Sequence, residues 1–189
     1  MPLEDAIRWD NRYKTDERHA SHRGPREFLV EHADFLPKSG YALDVAMGLG
    51  DNAGFLIERG LDVIGVDISS VAVIRAKRRW PELNAILADL TGLYLPVRYF
   101  DVILNFYYLQ RELWQEYRRA LKPHGILFME VLTSEMIKIK PEIDPSFLVE
   151  PGELWEAFSD WDVLHYHECW TEIDQGRQRA VASLVARLS

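Results

Sequence analysis

Ala42-Leu43-Asp44-Val45-Ala46-Met47-Gly48-Leu49-Gly50-Asp51-Asn52-Ala53 reads as a short buried strand, a glycine-rich turn and the first turn of a helix. Glycines at 48 and 50 let the backbone come close to a ligand that a Cβ would block. Asp44 lies inside the strand, four positions before the first glycine. A carboxylate there is costly to bury unless something pairs with it. It would repel a dinucleotide pyrophosphate and accept an ammonium or ribose hydroxyls.

On both sides of this stretch, apolar and polar segments alternate in a strand–helix rhythm, which predicts a parallel sheet covered on both faces. Strands are expected at Tyr41 to Ala46, Asp62 to Val66, Asn84 to Leu87, Tyr99 to Asn105 and Ile126 to Leu132. Helices are expected from Asn52 to Arg59, stopped by Gly60, and from a Ser69 or Ser70 cap to just before Pro81. Two more are expected at Gln110 to Leu121 and Glu153 to Phe158, with a loop over Thr133 to Glu150. Trp161 to Glu168 and Arg179 to Ala186 flank Asp174-Gln175-Gly176 and read as a hairpin, so one of the two runs antiparallel. The expected fold is α/β, a Rossmann-like, doubly wound and mostly parallel seven-stranded sheet with a C-terminal antiparallel hairpin. The 189 residues suggest a single domain, with residues 1–37 as a helical cap and 38–189 as the Rossmann-like core.

Composition narrows the function. Lys plus Arg total 22 and Asp plus Glu 30, a formal charge of −8 that argues against nucleic acid as a partner. The basic stretch Arg75 to Arg79 reads as a solvated helix face. Cys169 is the only cysteine, so the chain forms no internal disulfide, and a reducing, cytoplasmic setting is expected. The charged segment Met1 to Asp16 does not read as a signal peptide, and no apolar run approaches the roughly 20 residues that span a bilayer.

Three acidic residues mark successive strands: Asp44 within the first, Asp67 ending the second and Asp89 following the third. In an open α/β sheet the ligand crevice lies at those carboxyl ends. Asp67 follows Gly48 at about the spacing used to hold ribose hydroxyls, Asp89 could accept from an exocyclic amine of a base, and Asn105 ends the fourth strand near the same crevice. Gly-Leu-Gly-Asp-Asn-Ala also fits the dinucleotide fingerprint, so an NAD-dependent oxidoreductase is the alternative enzyme class.

The chain resembles class I S-adenosylmethionine-dependent methyltransferases over nearly its whole length. The matching stretches are Leu43 to Gly50, Val63 to Ser69, Ala88-Asp89-Leu90, Phe100 to Asn105 and Leu121 to Leu127. Within that class it is most similar to the small tellurite-resistance and thiopurine-type enzymes, through Trp9-Asp10-Asn11-Arg12-Tyr13 and the stretch Glu150 to Trp161. Two departures from that pattern are Asp51, where arginine is usual, and Pro123-His124-Gly125 in place of Pro-Gly-Gly.

The resemblance implies S-adenosylmethionine as cofactor. Gly48 and Gly50 would pass under its methionine part, Asp44 would face its amino group and Asp67 its ribose. Asp89 and Leu90 would hold the adenine, Ile68 would pack on it, and Trp9 and Tyr13 would shut out water. The acceptor, a small molecule, would meet residues after the fourth and fifth strands: Tyr107, Tyr108, Arg111, Trp170 and Arg177, with His165 and His167 nearby. Asn105-Phe106-Tyr107-Tyr108 lacks both prolines of the box used by nucleic-acid amino-methyltransferases. His165 and His167 share a strand face but have no third ligand in view, so no metal is expected. No general base is assigned: a soft acceptor needs little base catalysis, whereas a hydroxyl or amine would need a base or a positioned carbonyl. A module that binds the cofactor without catalysis stays open, as does the choice between monomer and homodimer.

Overall fold

The computed structural model describes residues 2–16, 21–173 and 177–189. The expected hairpin turn at Asp174-Gln175-Gly176 lies outside the described residues. Helix α1 (Pro2–Thr15) and the short α2 (Glu27–Glu31) precede strand β1 (Gly40–Val45). There follow α3 (Asp51–Glu58), β2 (Leu61–Asp67), α4 (Ser70–Arg79), β3 (Asn84–Leu87) and β4 (Phe100–Phe106). The chain continues through α5 (Leu113–Ala120), β5 (Leu121–Leu132), α6 (Glu153–Phe158), β6 (Asp162–Ile173) and β7 (Arg177–Arg187).

The sheet has seven strands in the order β3-β2-β1-β4-β5-β7-β6. Every pairing from β3 to β5 is parallel; β7 is antiparallel to both β5 and β6. Strand order reverses between β1 and β4, which opens a crevice at their carboxyl ends. Alternation along β1 sends Leu43 and Val45 to one face and Ala42 and Asp44 to the other. The first face packs against Leu113 and Tyr117 of α5 and Leu154 and Phe158 of α6. The second packs against Phe28 and Leu29 of α2, Ala53 and Leu56 of α3 and Ala76 of α4.

Several helix ends follow local chemistry. Ser69 is the N-cap of α4, its Oγ accepting from the Ala72 N–H at 3.2 Å. Gly60, at φ 92°, follows the last residues of α3 and donates to the Ile57 carbonyl, as a C-terminal cap does. Strand β5 begins at Leu121 rather than Ile126, because Phe100 pairs with Leu121 before the register shifts and Val102 pairs with Ile126. The Lys122-Pro123-His124-Gly125 turn is thus an irregularity within a strand, and His124 takes a left-handed φ of 64°. The stretch Thr133 to Glu150 carries two short 3₁₀ turns, Ser134–Lys138 and Pro145–Phe147.

Gly54 shows how closely α3 is seated. A Cβ at this position would stand 2.1 Å from the Trp80 ring. Gly54→Ala is therefore expected to destabilise the protein by about 2–3 kcal/mol despite alanine's better helix propensity. Thermal unfolding monitored by circular dichroism would show it as a lowered Tm; an unchanged Tm would mean that the indole moves away at little cost.

Candidate functional site

The turn after β1 is held from three sides. Met47 donates its N–H to the Val66 carbonyl at 3.0 Å, which continues the strand pairing beyond β1, and Gly50 donates to Met47. Gly48 and Gly50 take φ values of 58° and 75°, a region open to glycine at little steric cost. The two glycines face different surroundings. A Cβ on Gly48 would stand 2.8 Å from the Tyr13 hydroxyl, on the open side of the turn. A Cβ on Gly50 would meet Ala76, Leu83 and Trp80, so its small size serves the seating of α3 against α4.

Two carboxylates lie beneath this turn and differ in how they are satisfied. Asp67, 5% exposed, accepts from Gly48 N–H at 2.8 Å with one oxygen and from Ser69 N–H at 2.8 Å with the other. Burial pushes its pKa up, against those backbone donors. Asp44, 1% exposed, has Oδ2 buried with no hydrogen-bond partner. Desolvation pushes its pKa up to about 8, opposed by the Ala53 backbone N–H and the Arg26 charge and reinforced by Asp67. A buried, unpartnered carboxylate oxygen is a socket for a cation or donor that the protein does not supply.

Asp89 lies beyond β3, half-buried, with one oxygen accepting from the Thr91 N–H at 2.9 Å. Leu90 is buried among the core residues of the first face. Ile68 is half-buried between Asp67 and the cap of α4. Asn105 turns inward. Its Nδ2 donates to the Tyr117 hydroxyl at 2.9 Å, and its Oδ1 is buried without a partner.

Helix α1 covers this end of the sheet. Asp10 is the hinge pin: its Oδ1 accepts from Ser69 Oγ at 2.6 Å and Val71 N–H at 3.1 Å, and its Oδ2 from Ser70 Oγ at 2.9 Å. Burial acts to raise the Asp10 pKa, but these hydrogen bonds hold it below the usual carboxylate range. The carboxylate also faces the positive end of the α4 dipole. Arg75 of α4 donates to the Tyr13 carbonyl at 2.8 Å, and Trp9 and Tyr13 pack with Leu49 and Ala72. No sequence motif marks Asp10 beyond its place between Trp9 and Tyr13. Asp10→Ala is expected to weaken the docking of α1 by about 1–2 kcal/mol. Hydrogen exchange would then rise selectively in residues 5–15; uniform protection would refute it.

A second segment clamps α3. The Asp51 carboxylate accepts from Arg23 N–H at 3.0 Å and lies 2.7 Å from His22 Nδ1, while Asn52 accepts from Arg26 N–H at 2.8 Å. The aspartate in a position where arginine was expected thus ties the chain before α2 to the glycine turn.

The residues expected around the acceptor scatter. Tyr107 follows β4 at φ 57° and is pinned twice to Glu130 of β5. Its N–H donates to the Glu130 carbonyl at 2.7 Å and its hydroxyl to Glu130 Oε1 at 2.5 Å. Ser183 of β7 donates to the other carboxylate oxygen at 2.9 Å. Burial and the Glu130 charge push the Tyr107 pKa up to about 12. Tyr108 faces the other side of the sheet, its hydroxyl donating to Gln110 at 2.5 Å, and burial followed by Asp89 pushes its pKa up to about 12. Arg111 pairs with Glu153 of α6 at 2.5 Å and donates to the Leu148 carbonyl, a tie between segments rather than a reach into the crevice. Trp170 is 39% exposed and sits across from Ala180, on the face of β6 opposite Cys169. Arg177 opens β7 across from Ile173, and its side chain lies outside the described residues. His165 Nδ1 lies 3.1 Å from His32 Nε2, and burial followed by His32 pushes the His165 pKa down. Among the described residues no group of three metal-ligating side chains converges. Glu130, Ser183 and Arg26, now part of the same corner, carried no recognisable spacing in the sequence.

No helix among the described residues is long and apolar enough to cross a membrane. Residues 42–125 match the family model described as a methyltransferase domain. A Bacillus subtilis (strain 168) protein named as a methyltransferase, YqeM, is 28% identical over 148 residues, which are 68% of this chain and 58% of that protein. A demethylmenaquinone methyltransferase of Renibacterium salmoninarum is 29% identical over 162 residues, 74% of this chain and 68% of that one. The chain thus spans about three-fifths to two-thirds of these curated relatives. TehB from Haemophilus influenzae shares the fold with a TM-score of 0.76 at 18% identity, over 96% of this chain and 67% of TehB. The match to a methyltransferase domain over residues 42–125 spans the glycine turn and strands β1 to β4, and the chain shares its fold with structures of S-adenosylmethionine-dependent methyltransferases.

Proposed function

We propose that the protein transfers a methyl group from S-adenosylmethionine to a small-molecule acceptor in the cytoplasm. The observation that carries this reading is Asp44: a buried carboxylate with Oδ2 unpartnered beneath the Gly48 turn. That socket suits the cofactor's ammonium and offers a pyrophosphate no positive charge, which weighs against a nicotinamide enzyme. Gly48, Tyr13 and Asp44 would hold the methionine part, Asp67 the ribose, and Asp89 with Ile68 and Leu90 the adenine. Bound there, the cofactor would supply an electrophilic sulfonium methyl group to the acceptor's lone pair.

The chain's own part is alignment and exclusion of water. Asp10 holds α1 in place, so Trp9 and Tyr13 cover the methionine end. The acceptor then comes past the carboxyl end of β4, beside Tyr107. A small acceptor fits a covered site of this kind, and the relative named for demethylmenaquinone is consistent with one. Isothermal calorimetry with S-adenosylhomocysteine is expected to show saturable one-to-one binding in the micromolar range; silence at millimolar ligand would sink the proposal. Turnover of labelled cofactor across thiols, chalcogen oxyanions and phenols then separates an enzyme from a module that only binds.

A further inference from the structure

Two arginines converge on the ring of Tyr107. The Arg26 guanidinium carbon lies 4.5 Å from the ring centroid and that of Arg179 4.7 Å, so the two charges stand within about 9 Å of each other. They come from opposite ends of the chain: Arg26 precedes α2 and Arg179 lies in β7. Nothing local requires the pairing. Among the described residues, neither guanidinium has a carboxylate within ion-pair reach.

That is unusual in a chain with eight more acidic than basic side chains. Arg111, Arg118, Lys122 and Arg187 all find acidic partners. Glu130, the acid that holds Tyr107, has both of its oxygens already occupied by Tyr107 and Ser183 hydroxyls. The ring offsets part of the repulsion between the guanidiniums through its negative face, but a cation–π contact is worth only about 0.5–2 kcal/mol. Two guanidiniums with free fork donors form a receptor for a carboxylate or phosphate.

The corner adjoins the cofactor end of the site. Tyr107 follows β4, the strand paired with β1 and its Asp44. The Arg26 charge is also felt at Asp44 and Tyr13. Tyr107 itself is held in a left-handed backbone, a strain that persists because Glu130 fixes it at both ends.

We propose that Arg26 and Arg179 bind an anionic group, a carboxylate or a phosphate, carried by the methyl acceptor and laid against Tyr107. This rests on the methyltransferase reading: the anion anchors the acceptor while its nucleophilic atom faces the cofactor.

The test titrates the protein, with and without saturating S-adenosylhomocysteine, with benzoate, phenyl phosphate and neutral benzamide, followed by ligand-observed NMR. At least one of the two anions is expected to bind about tenfold more tightly than benzamide, and the tighter of the two tells carboxylate from phosphate. Arg179→Gln and Arg26→Gln should each lower that anion's affinity about fivefold or more. Arg26→Lys keeps the charge and should retain part of the preference, while Arg119→Gln, at the end of α5 on the other face of the sheet, should change nothing. Equal binding of anion and amide, no anion binding, or a preference that survives Arg179→Gln in a folded variant would overturn the inference. Calorimetry with S-adenosylhomocysteine on the same samples reads the methyltransferase proposal separately, because Arg179→Gln is expected to leave that affinity unchanged.

Discussion

Asp67→Ala is expected to lower affinity for S-adenosylhomocysteine by a hundredfold or more while leaving the protein folded. The substitution removes two backbone hydrogen bonds to a carboxylate, from Gly48 and from Ser69. Hydrogen bonds to charged groups contribute about 1.5–3 kcal/mol each, and a hundredfold corresponds to about 2.7 kcal/mol. The variant strikes the site twice: the glycine turn loses its tether to β2, and a ribose bound as proposed would lose its acceptor. Calorimetry checks the affinity and thermal unfolding checks the fold. Retention of affinity within fivefold would remove Asp67 from the nucleoside site. The isosteric Asp67→Asn should fall between the two, because an amide oxygen can accept only one of the two N–H groups.

The second large effect concerns Asp44 and pH. Its pKa in the folded protein is about 8, against 3.8 for an unperturbed aspartate. The folded protein therefore keeps a proton that the unfolded chain releases, so this group lowers stability as pH rises from about 4 to about 8. The slope reaches at most about 1.4 kcal/mol per pH unit. Asp44→Asn is expected to flatten that decline and to be the more stable protein by several kcal/mol at pH 8, read from urea denaturation at a series of pH values. Ligand binding should show the reverse. An ammonium seated on Asp44 favours the ionised form, so binding near pH 7 releases up to about one proton per ligand in the wild type and none in Asp44→Asn. Calorimetry in buffers of different ionisation enthalpy counts that proton. Equal proton release by both proteins would place the ammonium elsewhere.

Much of the fold could be read from local chemistry. The apolar runs of β1, β2 and β4 are buried on both faces and announce a parallel sheet. Ser69, Gly60 and Trp80-Pro81 mark helix ends whose signals span only a few residues. The strand ends at Asp44 and Asp67 were legible for the same reason: a carboxylate within an apolar run stands out. Placement of side chains brought together by the fold was not legible. Arg111 and Glu153 are 42 positions apart, and nothing in either segment indicates that they meet. The same is true of Glu130 and Ser183, 53 positions apart. Gly50 reads like Gly48 in sequence, yet one faces the packed surface of α4 and the other the Tyr13 hydroxyl. Direction within a tight turn depends on backbone angles that composition does not reveal.

The clasp between Asp10 and the start of α4 has a kinetic meaning. The Tyr13 hydroxyl stands 2.8 Å from where a Gly48 Cβ would lie, so that side of the turn opens fully only when α1 shifts. Three hydrogen bonds to one carboxylate break together when it does. For a nucleoside bound as proposed, exchange would then be a gated event, its residence time set by how often the helix undocks rather than by the contacts the nucleoside makes.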